Sequence, residues 1–511
     1  MPSRRWLLLA TQSAVLALPA RAEEAGRTKG GVVDVATVGE PPTLDPMVST
    51  TDLVGIITQH VFETLFTFDA RWKVVPLLAA AVPVPSQNGT VYDITLRDGV
   101  RFHDGSATTS RDVVASLKRW MDIASRGRSA AANIVSVEAT GPLAVRITLK
   151  APYAPLLALL AFNNSAAIVL PEGKAANPLT EVVGTGPYRL KERRPDQYIQ
   201  LVRFDGYASP PGEPSLYGGA RRALLDEIRF VPVPDSNTRV EAALAGQYQF
   251  TGNLPVESLG RLTGRSGVTP VLLKPFGWPS LNFNTRQGLS ASQPFRQAVR
   301  AALSMEDALA AAFGSTDFYT AEGALYPPGY VWNTAAGVAG AYNLADPDKA
   351  GTLLKQASYD GAPFRILTSR QYEFHYKIAQ VCAEYLKAAA IKVDMQVVDW
   401  ATLTQRRTNP ALWDMYVSDS PFLPEPALIG QLDSSGPGGW NSPARARVLG
   451  AFNAEQDPAR RAVLWADVQS VIMDEVPYIK VGDYNALAAQ SPRLRGVPPA
   501  PWPFFWNASL A

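Results

Sequence analysis

Cysteine and histidine are scarce in this chain of 511 residues, which has one cysteine, Cys382, and three histidines. One cysteine cannot form an internal disulfide, and so few Cys and His residues leave little material for a metal site. The chain also has little excess of charge, because 48 Lys and Arg residues face 46 Asp and Glu residues. A nucleic acid or an anionic membrane surface attracts a clear positive excess, so neither is an expected partner.

Familiar catalytic and cofactor motifs are missing too. The sequence has no G-x-S-x-G, H-E-x-x-H, Walker or G-x-G-x-x-G pattern. Gly184-Thr185-Gly186-Pro187 leads into a strand-like segment, so it predicts a turn in which glycine permits backbone angles that other residues resist. Cys382 falls on an apolar helical stripe and is interpreted as a buried small hydrophobe. We expect no catalytic residues, no cofactor and no metal.

The N-terminus has the pattern of a secretory signal peptide. Arg4 and Arg5 precede a short apolar run at residues 6–18, and Ala20-Arg21-Ala22 fits cleavage after Ala22. The run is shorter than the roughly 20 apolar residues that a membrane span needs. The paired arginines also resemble the twin-arginine export pattern, so the general secretory route and the twin-arginine route both stay open. We expect residues 1–22 to be removed and the mature protein to be periplasmic.

The remaining residues show patterns of both strands and helices. Alternating apolar residues predict strands near 92–96, 145–149, 199–204 and 228–233. Apolar residues at helical spacing predict helices near 109–121, 378–386 and 464–472. Asp346 and Asp457 precede prolines, as helix N-caps precede a first-turn proline. The pattern is that of a mixed α and β protein.

Aromatic residues are abundant, with 11 Trp, 18 Tyr and 19 Phe. Trp278, Trp332 and Trp440 stand in segments rich in proline and glycine. Aromatic side chains presented from irregular backbone are suited to lining a ligand cleft. Alternatively, these aromatic side chains have a structural role and fill hydrophobic space beneath long loops.

Several blocks occur in an order and spacing that resemble a known family. They begin with Glu40-Pro41-Pro42-Thr43-Leu44-Asp45-Pro46, continue at residues 61–66, 75–79, 96–105 and 112–119, and end at 184–188, 281–284 and 295–300. Together they resemble the extracytoplasmic solute-binding proteins of family 5, the peptide/nickel group that serves ABC importers. The resemblance covers nearly the whole mature chain.

This resemblance implies an α/β, bilobed periplasmic-binding-protein fold of type II, in the large cluster C form, with an extra inserted domain. Residues 23–63, 183–275 and 478–511 would form a discontinuous first lobe, 64–182 an inserted subdomain and 276–477 the second lobe. Such a protein is a monomer that captures a small organic or peptide-like solute between its lobes. It delivers the solute unaltered to an inner-membrane ABC permease, and is therefore not an enzyme.

The resemblance also suggests where the solute would bind. In peptide-binding members an aspartate pairs with the ligand's α-ammonium, but here Phe422 or Leu423 replaces it, and Asp419 lies a turn earlier. A less cationic or partly apolar solute is therefore expected, since an ammonium buried without a partner is costly. Arg370 lies near the family's carboxylate-binding arginine. The candidate site comprises Arg370 as anion partner, Asp419 as cation partner, and the aromatic residues Trp278, Trp400, Trp413, Phe422 and Trp440.

Other interpretations stay open on sequence alone. His375 could complete a metal–chelate complex, whereas His103 is predicted to be a turn residue away from the cleft. The chain could also be an exported hydrolase of peptides or glycans, which would need a nucleophile and base not found here. A third possibility is a ligand-loaded receptor or chaperone-like protein whose partner is another protein.

Overall fold

The computed structural model describes residues 29–511, so the predicted signal peptide at residues 1–22 lies outside the described residues. The strands are β1 (Val32–Thr37), β2 (Phe66–Phe68), β3 (Val74–Pro76), β4 (Val91–Thr95), β5 (Ile134–Gly141), β6 (Ala144–Leu149), β7 (Tyr188–Arg194), β8 (Tyr198–Arg203), β9 (Glu227–Pro232), β10 (Phe250–Leu254), β11 (Thr269–Phe283), β12 (Tyr319–Thr320), β13 (Phe364–Thr368), β14 (Val393–Val397), β15 (Met415–Pro421), β16 (Tyr478–Lys480), β17 (Asp483–Gln490), β18 (Leu494–Arg495) and β19 (Ser509–Leu510).

The α-helices are α1 (Asp52–Thr58), α2 (Ser110–Ile123), α3 (Ser125–Ala131), α4 (Leu156–Leu159), α5 (Ser236–Leu244), α6 (Leu259–Leu262), α7 (Gln293–Ala302), α8 (Met305–Phe313), α9 (Pro347–Gln356), α10 (Glu373–Ala388), α11 (Trp400–Arg406), α12 (Pro443–Ala454) and α13 (Pro458–Glu475). The strands and helices predicted from apolar spacing are all present, within a few residues of the predicted bounds. Between residues 29 and 511, no helix has the length and apolar character that a membrane crossing requires.

The largest sheet of the described residues is mixed and has the order β14-β13-β15-β11-β17-β10-β1-β9-β8-β7. β1 lies parallel to β9 and β10, and β13 lies parallel to β14 and β15. The long strand β11 is antiparallel to both β15 and β17. Strands β11 and β17 therefore connect a first lobe, built around β1 and β7–β10, to a second lobe, built around β13–β15.

A separate antiparallel sheet, β4-β6-β5, lies within residues 64–182. Helix α2 accompanies it and buries Val113, Leu117 and Trp120. Thr109 and Asp112 cap this helix reciprocally, which satisfies two backbone N–H groups at its start. The sheet falls in the range assigned to the inserted subdomain, but the bounds of that unit and of both lobes stay predictions.

Local predictions about helix ends and the cysteine are confirmed. The side chains of Asp346 and Asp457 accept hydrogen bonds from the backbone N–H groups of Lys349 and Arg460, so both aspartates are N-caps. Cys382 is 1% exposed in α10, and burial raises the pKa of its thiol to about 12. A thiol held neutral in this way behaves as a small hydrophobe.

The turn at Gly184-Thr185-Gly186-Pro187 is present, but our reason for its glycines was wrong. Neither glycine has a positive φ. A Cβ atom on Gly184 would lie 2.0 Å from the carbonyl oxygen of Val61, and one on Gly186 would lie 2.4 Å from that of His60. Close approach of two backbone segments therefore requires glycine here.

His103 forms hydrogen bonds to this turn, in agreement with its predicted structural role. Its Nε2 lies 2.9 Å from the carbonyl oxygen of Gly186, and the backbone N–H of Gly184 donates to its Nδ1 at 3.2 Å. Burial lowers the pKa of His103 to about 4, so the ring stays neutral at physiological pH. It does not line the cleft described below.

Residues 64–182 also touch the segment that follows β15. The rings of Trp72 and Phe422 lie 4.9 Å apart between centroids. The backbone N–H of Ala154 donates to the carbonyl oxygen of Asn453 at 2.8 Å. One continuous apolar core includes residues on both sides of this contact, so the two sides of the molecule meet here.

Candidate functional site

A cleft of about 1660 Å³ lies between the two lobes. Its first wall is formed by residues between 35 and 257, its second wall by residues between 370 and 450, and the crossing strands β11 and β17 lie between the walls. Pockets for drug-sized molecules occupy roughly 300–1,000 Å³. This cleft therefore has room for a peptide-sized solute together with water.

Asp419, on β15, presents a carboxylate from the second wall. Its Oδ1 lies 2.9 Å from Nε2 of His375, and its Oδ2 accepts a hydrogen bond from the Tyr484 hydroxyl at 2.8 Å. The side chain is 23% exposed and lines the cleft. Burial opposes the charge, but the hydrogen bonds from His375 and Tyr484 outweigh it, so the pKa of Asp419 is lowered. The residue is thus a fixed anion facing the cleft.

Asp52 presents a second carboxylate, from the first wall. It is the first residue of α1, and its Oδ1 accepts from the indole N–H of Trp502 at 2.9 Å and from the Asn164 amide at 3.5 Å. Burial raises the pKa of Asp52 to about 6, and the nearby charge of Asp419 contributes to the rise. Asp52 and Asp419 thus line the same cleft, one from each wall.

Several arginines line the cleft, among them Arg126, Arg370 and Arg407. Arg126, on α3, lies over the ring of Phe162 at 4.9 Å, and its Nε is buried without a hydrogen-bond partner. Burial lowers the pKa of Arg126 to about 10. Arg370 is exposed and donates to the Tyr376 hydroxyl at 2.8 Å, and Arg407 lies 5.7 Å above the ring of Tyr416. All three line the cleft, so an anionic group on a solute would find a partner.

Aromatic rings cover much of the second wall. Trp400 packs edge-on against Tyr372, with ring centroids 5.0 Å apart, and lies 5.6 Å from the ring of His375. Trp440 donates its indole N–H to Glu475 at 2.5 Å while its ring faces the cleft. Flat rings fixed in this way give apolar contact area at little cost in side-chain entropy.

The structure thus places Arg370, Trp400, Asp419 and Trp440 on the cleft, and it places the other three predicted residues elsewhere. Trp278 stacks on Tyr478 with ring centroids 5.7 Å apart. Trp413 is fully buried in a small cluster with Leu403 and Tyr416. Phe422 packs against Trp72 at the contact between the two sides of the molecule.

Sequence reasoning missed many polar residues of the cleft, and four of them are taken as examples. Asp52, Arg126, Asn164 and Tyr484 all line it, yet none belongs to a motif or to an unusual composition. A carboxylate on the first turn of a helix is ordinarily a solvated or capping group. Only the folded chain shows that these side chains converge, because they come from segments far apart in sequence.

The sequence profile of the bacterial extracellular solute-binding proteins, family 5 (middle region), matches residues 73–438. That range is well over half of the chain. The protein belongs to family 5 of the bacterial extracellular solute-binding proteins. Members of this family are periplasmic or extracellular binding proteins, and this chain is accordingly the substrate-binding subunit of an ABC transporter.

Individual proteins similar to this family 5 member have related functions. A Sinorhizobium fredii protein named as a probable peptide ABC transporter periplasmic-binding protein is 25% identical over 494 residues, covering 91% of each chain. The glutathione-binding protein of Salmonella typhimurium is 26% identical over 519 residues, covering 97% of this chain and 96% of its own.

Solved structures confirm the periplasmic-binding-protein fold. The periplasmic binding protein DppA of Helicobacter pylori, in complex with the peptide STSA, superposes with a TM-score of 0.81 at 22% identity. The superposition covers 96% of this chain and 99% of that one. The bilobed α/β fold predicted for this solute-binding protein is therefore correct.

Replacing Asp52 with Asn is expected to stabilise the unliganded solute-binding protein at pH 7.5. The pKa of Asp52 is higher in the folded chain, about 6, than its ordinary value of 3.8. Folding therefore favours the protonated form of Asp52. The free energy of unfolding is unaffected by this group below pH 3.8, and it falls as the pH rises from 3.8 through about 6. The asparagine variant removes this loss, so its melting temperature should exceed that of the wild type at pH 7.5 but not at pH 4.

Asp433→Asn is a suitable comparison for that measurement. Asp433 also lines the cleft, but its carboxylate accepts from the backbone N–H and hydroxyl of Ser435. Its replacement should not raise the melting temperature at pH 7.5. Equal melting temperatures for Asp52→Asn and the wild type at both pH values would contradict the prediction.

Replacing Phe422 with Leu is expected to shift the unliganded protein toward an open form. An aromatic pair contributes roughly 0.5–1.5 kcal/mol beyond its buried area, and the Trp72–Phe422 pair joins the two sides of the molecule. Small-angle scattering should show a larger radius of gyration, and solute affinity should fall about two- to tenfold because closure costs more.

Phe452→Leu provides the matched control for this substitution. Phe452 contacts Trp332 and Trp465, which lie on the same side of the molecule. Its replacement should lower stability without increasing the radius of gyration. If both variants scatter like the wild type, Phe422 does not influence closure.

Proposed function

We propose that this protein captures a small peptide-like solute in the cleft between its lobes and delivers it unchanged to an inner-membrane permease. The observation that carries the proposal is that both walls supply charged and aromatic side chains to one cleft. A solute touching both walls favours the closed arrangement by its differential affinity for it. The related proteins named for peptides and for glutathione support a solute of this chemistry.

The arrangement of charges suggests a solute with both a cationic and an anionic group. Asp419 would bind the cation, and Arg126 or Arg370 would bind a carboxylate. Trp400 and Trp440 would contact its apolar parts. From the sequence we expected a less cationic solute, because Phe422 or Leu423 stands where the family's aspartate would be. With Asp52 and Asp419 both on the cleft, we now propose that an ammonium group is accepted.

Binding without chemical change is part of the proposal. His375, the histidine nearest the cleft, bonds to Asp419 through Nε2 and not to a serine or cysteine. A hydrolase would need its base within hydrogen-bond reach of a nucleophile or water. Incubation with a panel of peptides and glycans, followed by mass spectrometry, should therefore recover the substrates intact.

Export and delivery complete the proposed role. Residues 1–22 would direct the protein across the inner membrane and be cleaved after Ala22, by either export route. The mature monomer would then carry its solute through the periplasm to an ABC permease. Its mature N-terminus can be checked by mass spectrometry of the protein purified from periplasmic extract.

Native mass spectrometry is the decisive experiment for the proposed function. The protein purified without denaturation should show a co-purified mass of a few hundred daltons that disappears after unfolding and refolding. Adding that compound back should reduce the radius of gyration in small-angle scattering. A protein that never changes its dimensions with any compound that stabilises it would contradict a binding role that depends on lobe closure.

A further inference from the structure

An ion pair between two side chains of the protein joins the walls of the cleft. Glu257 lies on the first wall and Lys377 on the second, and both line the cleft. The Nζ of Lys377 donates to Oε1 of Glu257 at 2.8 Å. The two residues are 120 positions apart and belong to different lobes, since Glu257 follows β10 and Lys377 lies on α10, between β13 and β14. The contact therefore forms only when the walls are close together.

Both residues of this pair stand on fixed backbone. Glu257 lies in a turn of 3₁₀-helix, Val256–Ser258, which the Ser258 hydroxyl closes by donating to the carbonyl oxygen of Pro255 at 2.6 Å. Lys377 stands on the 16-residue helix α10, which packs on strands β13–β15 of the second lobe. A contact between two fixed segments favours one arrangement of the lobes, which a contact on a mobile loop would not do.

Lys377 has a second carboxylate partner on its own helix. Glu373 lies one turn earlier in α10, and its Oε1 is 3.3 Å from the same Nζ. Burial opposes the charge of Lys377, but the hydrogen bond and charge of Glu257, followed by those of Glu373, outweigh it and raise the pKa of the lysine. When the walls separate, Lys377 keeps Glu373 as its neighbour four residues away on the helix. Opening thus breaks the contact with Glu257 alone, and the contact can form again.

Solvent exposure limits the strength of the pair. The side chains of Lys377 and Glu257 are 28% and 58% exposed, and ion pairs of this kind shift an equilibrium by up to about fivefold. A contact of that strength can break each time a solute enters or leaves. It is also open to dissolved salt, which weakens exposed ion pairs.

We infer that Glu257 and Lys377 form a tie between the walls that favours the closed arrangement of the protein before a solute binds. The solute then completes a closure that the chain has already partly stabilised, so the tie raises solute affinity through the distance between the lobes. Both are therefore positioning residues. The tie is a property of the unliganded protein, and only its effect on affinity rests on the proposed function.

A pair of introduced cysteines measures closure without a solute. The backbone N–H of Ala154 donates to the carbonyl oxygen of Asn453 at 2.8 Å, where the two sides of the molecule meet. Cysteines at these positions, Ala154→Cys/Asn453→Cys, come within disulfide distance when the lobes are close. The native Cys382 is 1% exposed and the pKa of its thiol is raised to about 12, so it does not compete. With a fixed oxidant, the rate of disulfide formation then follows the closed fraction.

Removing either partner of the tie should slow formation of this disulfide. In low salt, Glu257→Gln and Lys377→Met should each slow it about two- to fivefold relative to the parent cysteine pair, and the double variant should be no slower than the single ones. About 1 M salt, which screens charges beyond roughly 3 Å, should abolish the difference between the parent and Glu257→Gln. Glu241→Gln is the matched control, because Glu241 pairs with Arg261 at 2.6 Å within the first lobe. It should react at the rate of the parent.

A second measurement uses solute probes. Binding of glutathione and of a set of dipeptides is compared by calorimetry in low salt and in the same high salt. Glu257→Gln should weaken each probe that binds by about two- to fivefold in low salt, and it should bind like the wild type in high salt. Glu241→Gln should match the wild type under both conditions.

The outcomes keep the tie and the proposed function apart. If probes bind while Glu257→Gln forms the disulfide as fast as the parent in low salt, the function stands and the tie is wrong. If no probe binds, the disulfide rates decide: slowing that vanishes in high salt supports the tie, and rates equal to the parent overturn it. If the parent pair does not form the disulfide, equal probe affinities of Glu257→Gln and the wild type in low salt overturn the inference. Equal slowing in Glu241→Gln would also overturn it, because any lost surface charge would then act.

Discussion

Replacing Asp419 with Asn should weaken binding of an ammonium-bearing solute by about 100-fold. Removing one charged partner of a buried pair costs roughly 2–5 kcal/mol, much of it from leaving the other charge unpaired. Asp419 is held by His375 and Tyr484 at 2.9 and 2.8 Å, so its carboxylate is fixed before the solute arrives. A pre-organised partner of this kind loses little entropy on binding.

Calorimetry with the co-purified solute, or with glutathione as probe, measures this effect. The amide is nearly isosteric with the carboxylate, so the fold should survive and the loss should appear in affinity. Asp433→Asn removes a different negative charge from the same cleft. This variant should bind the solute with an affinity within about twofold of that of the wild type. A loss that is equally large in Asp433→Asn would mean that the cleft's overall charge matters, and not the position of Asp419.

Much of the fold was predictable because the signals are local. The caps at Asp346 and Asp457 depend on residues within one turn, and apolar periodicity marks α2, α10 and α13 directly. The blocks that resemble family 5 predicted the bilobed α/β fold. Some of them have structural roles: Gly184 and Gly186 let two backbone segments approach, and His103 fastens the turn.

The aromatic part of the site was predicted less well, because three of its five predicted residues do not line the cleft. Trp278 was placed in the cleft because its segment is rich in proline and glycine and was interpreted as irregular backbone. The segment is instead an interruption inside the long strand β11, where the register shifts between Leu273 and Gly277. Gly277 is there because a Cβ atom would lie 2.1 Å from the carbonyl oxygen of Ser420. Proline and glycine marked a strand irregularity, and the indole is buried against Tyr478.

The polar part of the site could not be predicted for a different reason. Asp52 has no distinctive neighbours in sequence. Burial in the folded chain raises its pKa, and its hydrogen-bond partners Trp502 and Asn164 lie far from it along the chain. Long-range convergence of this kind follows from the crossing of β11 and β17 between the lobes, which no local pattern encodes.

Replacing Asp45 with Ala should cost roughly 3–5 kcal/mol of stability, because it leaves a buried arginine without its partner. The guanidinium of Arg119, on α2, bonds to both Asp45 oxygens, at 2.5 and 3.3 Å, and both residues are about 5% exposed. Asp45 lies in the block Glu40-Pro41-Pro42-Thr43-Leu44-Asp45-Pro46, and it also accepts from the backbone N–H of Met47 at 3.1 Å. Urea unfolding followed by circular dichroism measures the loss.

An exposed pair of the same residue types gives the control. Arg146 and Asp93 bond across β6 and β4 with side chains 45% and 56% exposed, and Asp93→Ala should cost less than about 1 kcal/mol. The double variant Asp45→Leu/Arg119→Met should regain most of the stability lost in Asp45→Ala, since an apolar pair removes the unpaired charge. If Asp45→Ala costs no more than Asp93→Ala, the buried pair does not hold this loop.

If Asp45→Ala loses more stability than Asp93→Ala, the result also bears on the cleft. The loop that ends at Asp45 leads into α1, whose first residue is Asp52. The ion pair with Arg119 thereby fixes the path of the chain that delivers Asp52 to the first wall, while α2 leads directly to α3 and Arg126. In the double variant, regained stability together with unchanged solute affinity would show that packing alone positions Asp52. Regained stability with weaker binding would show that the ion pair sets the geometry of the first wall.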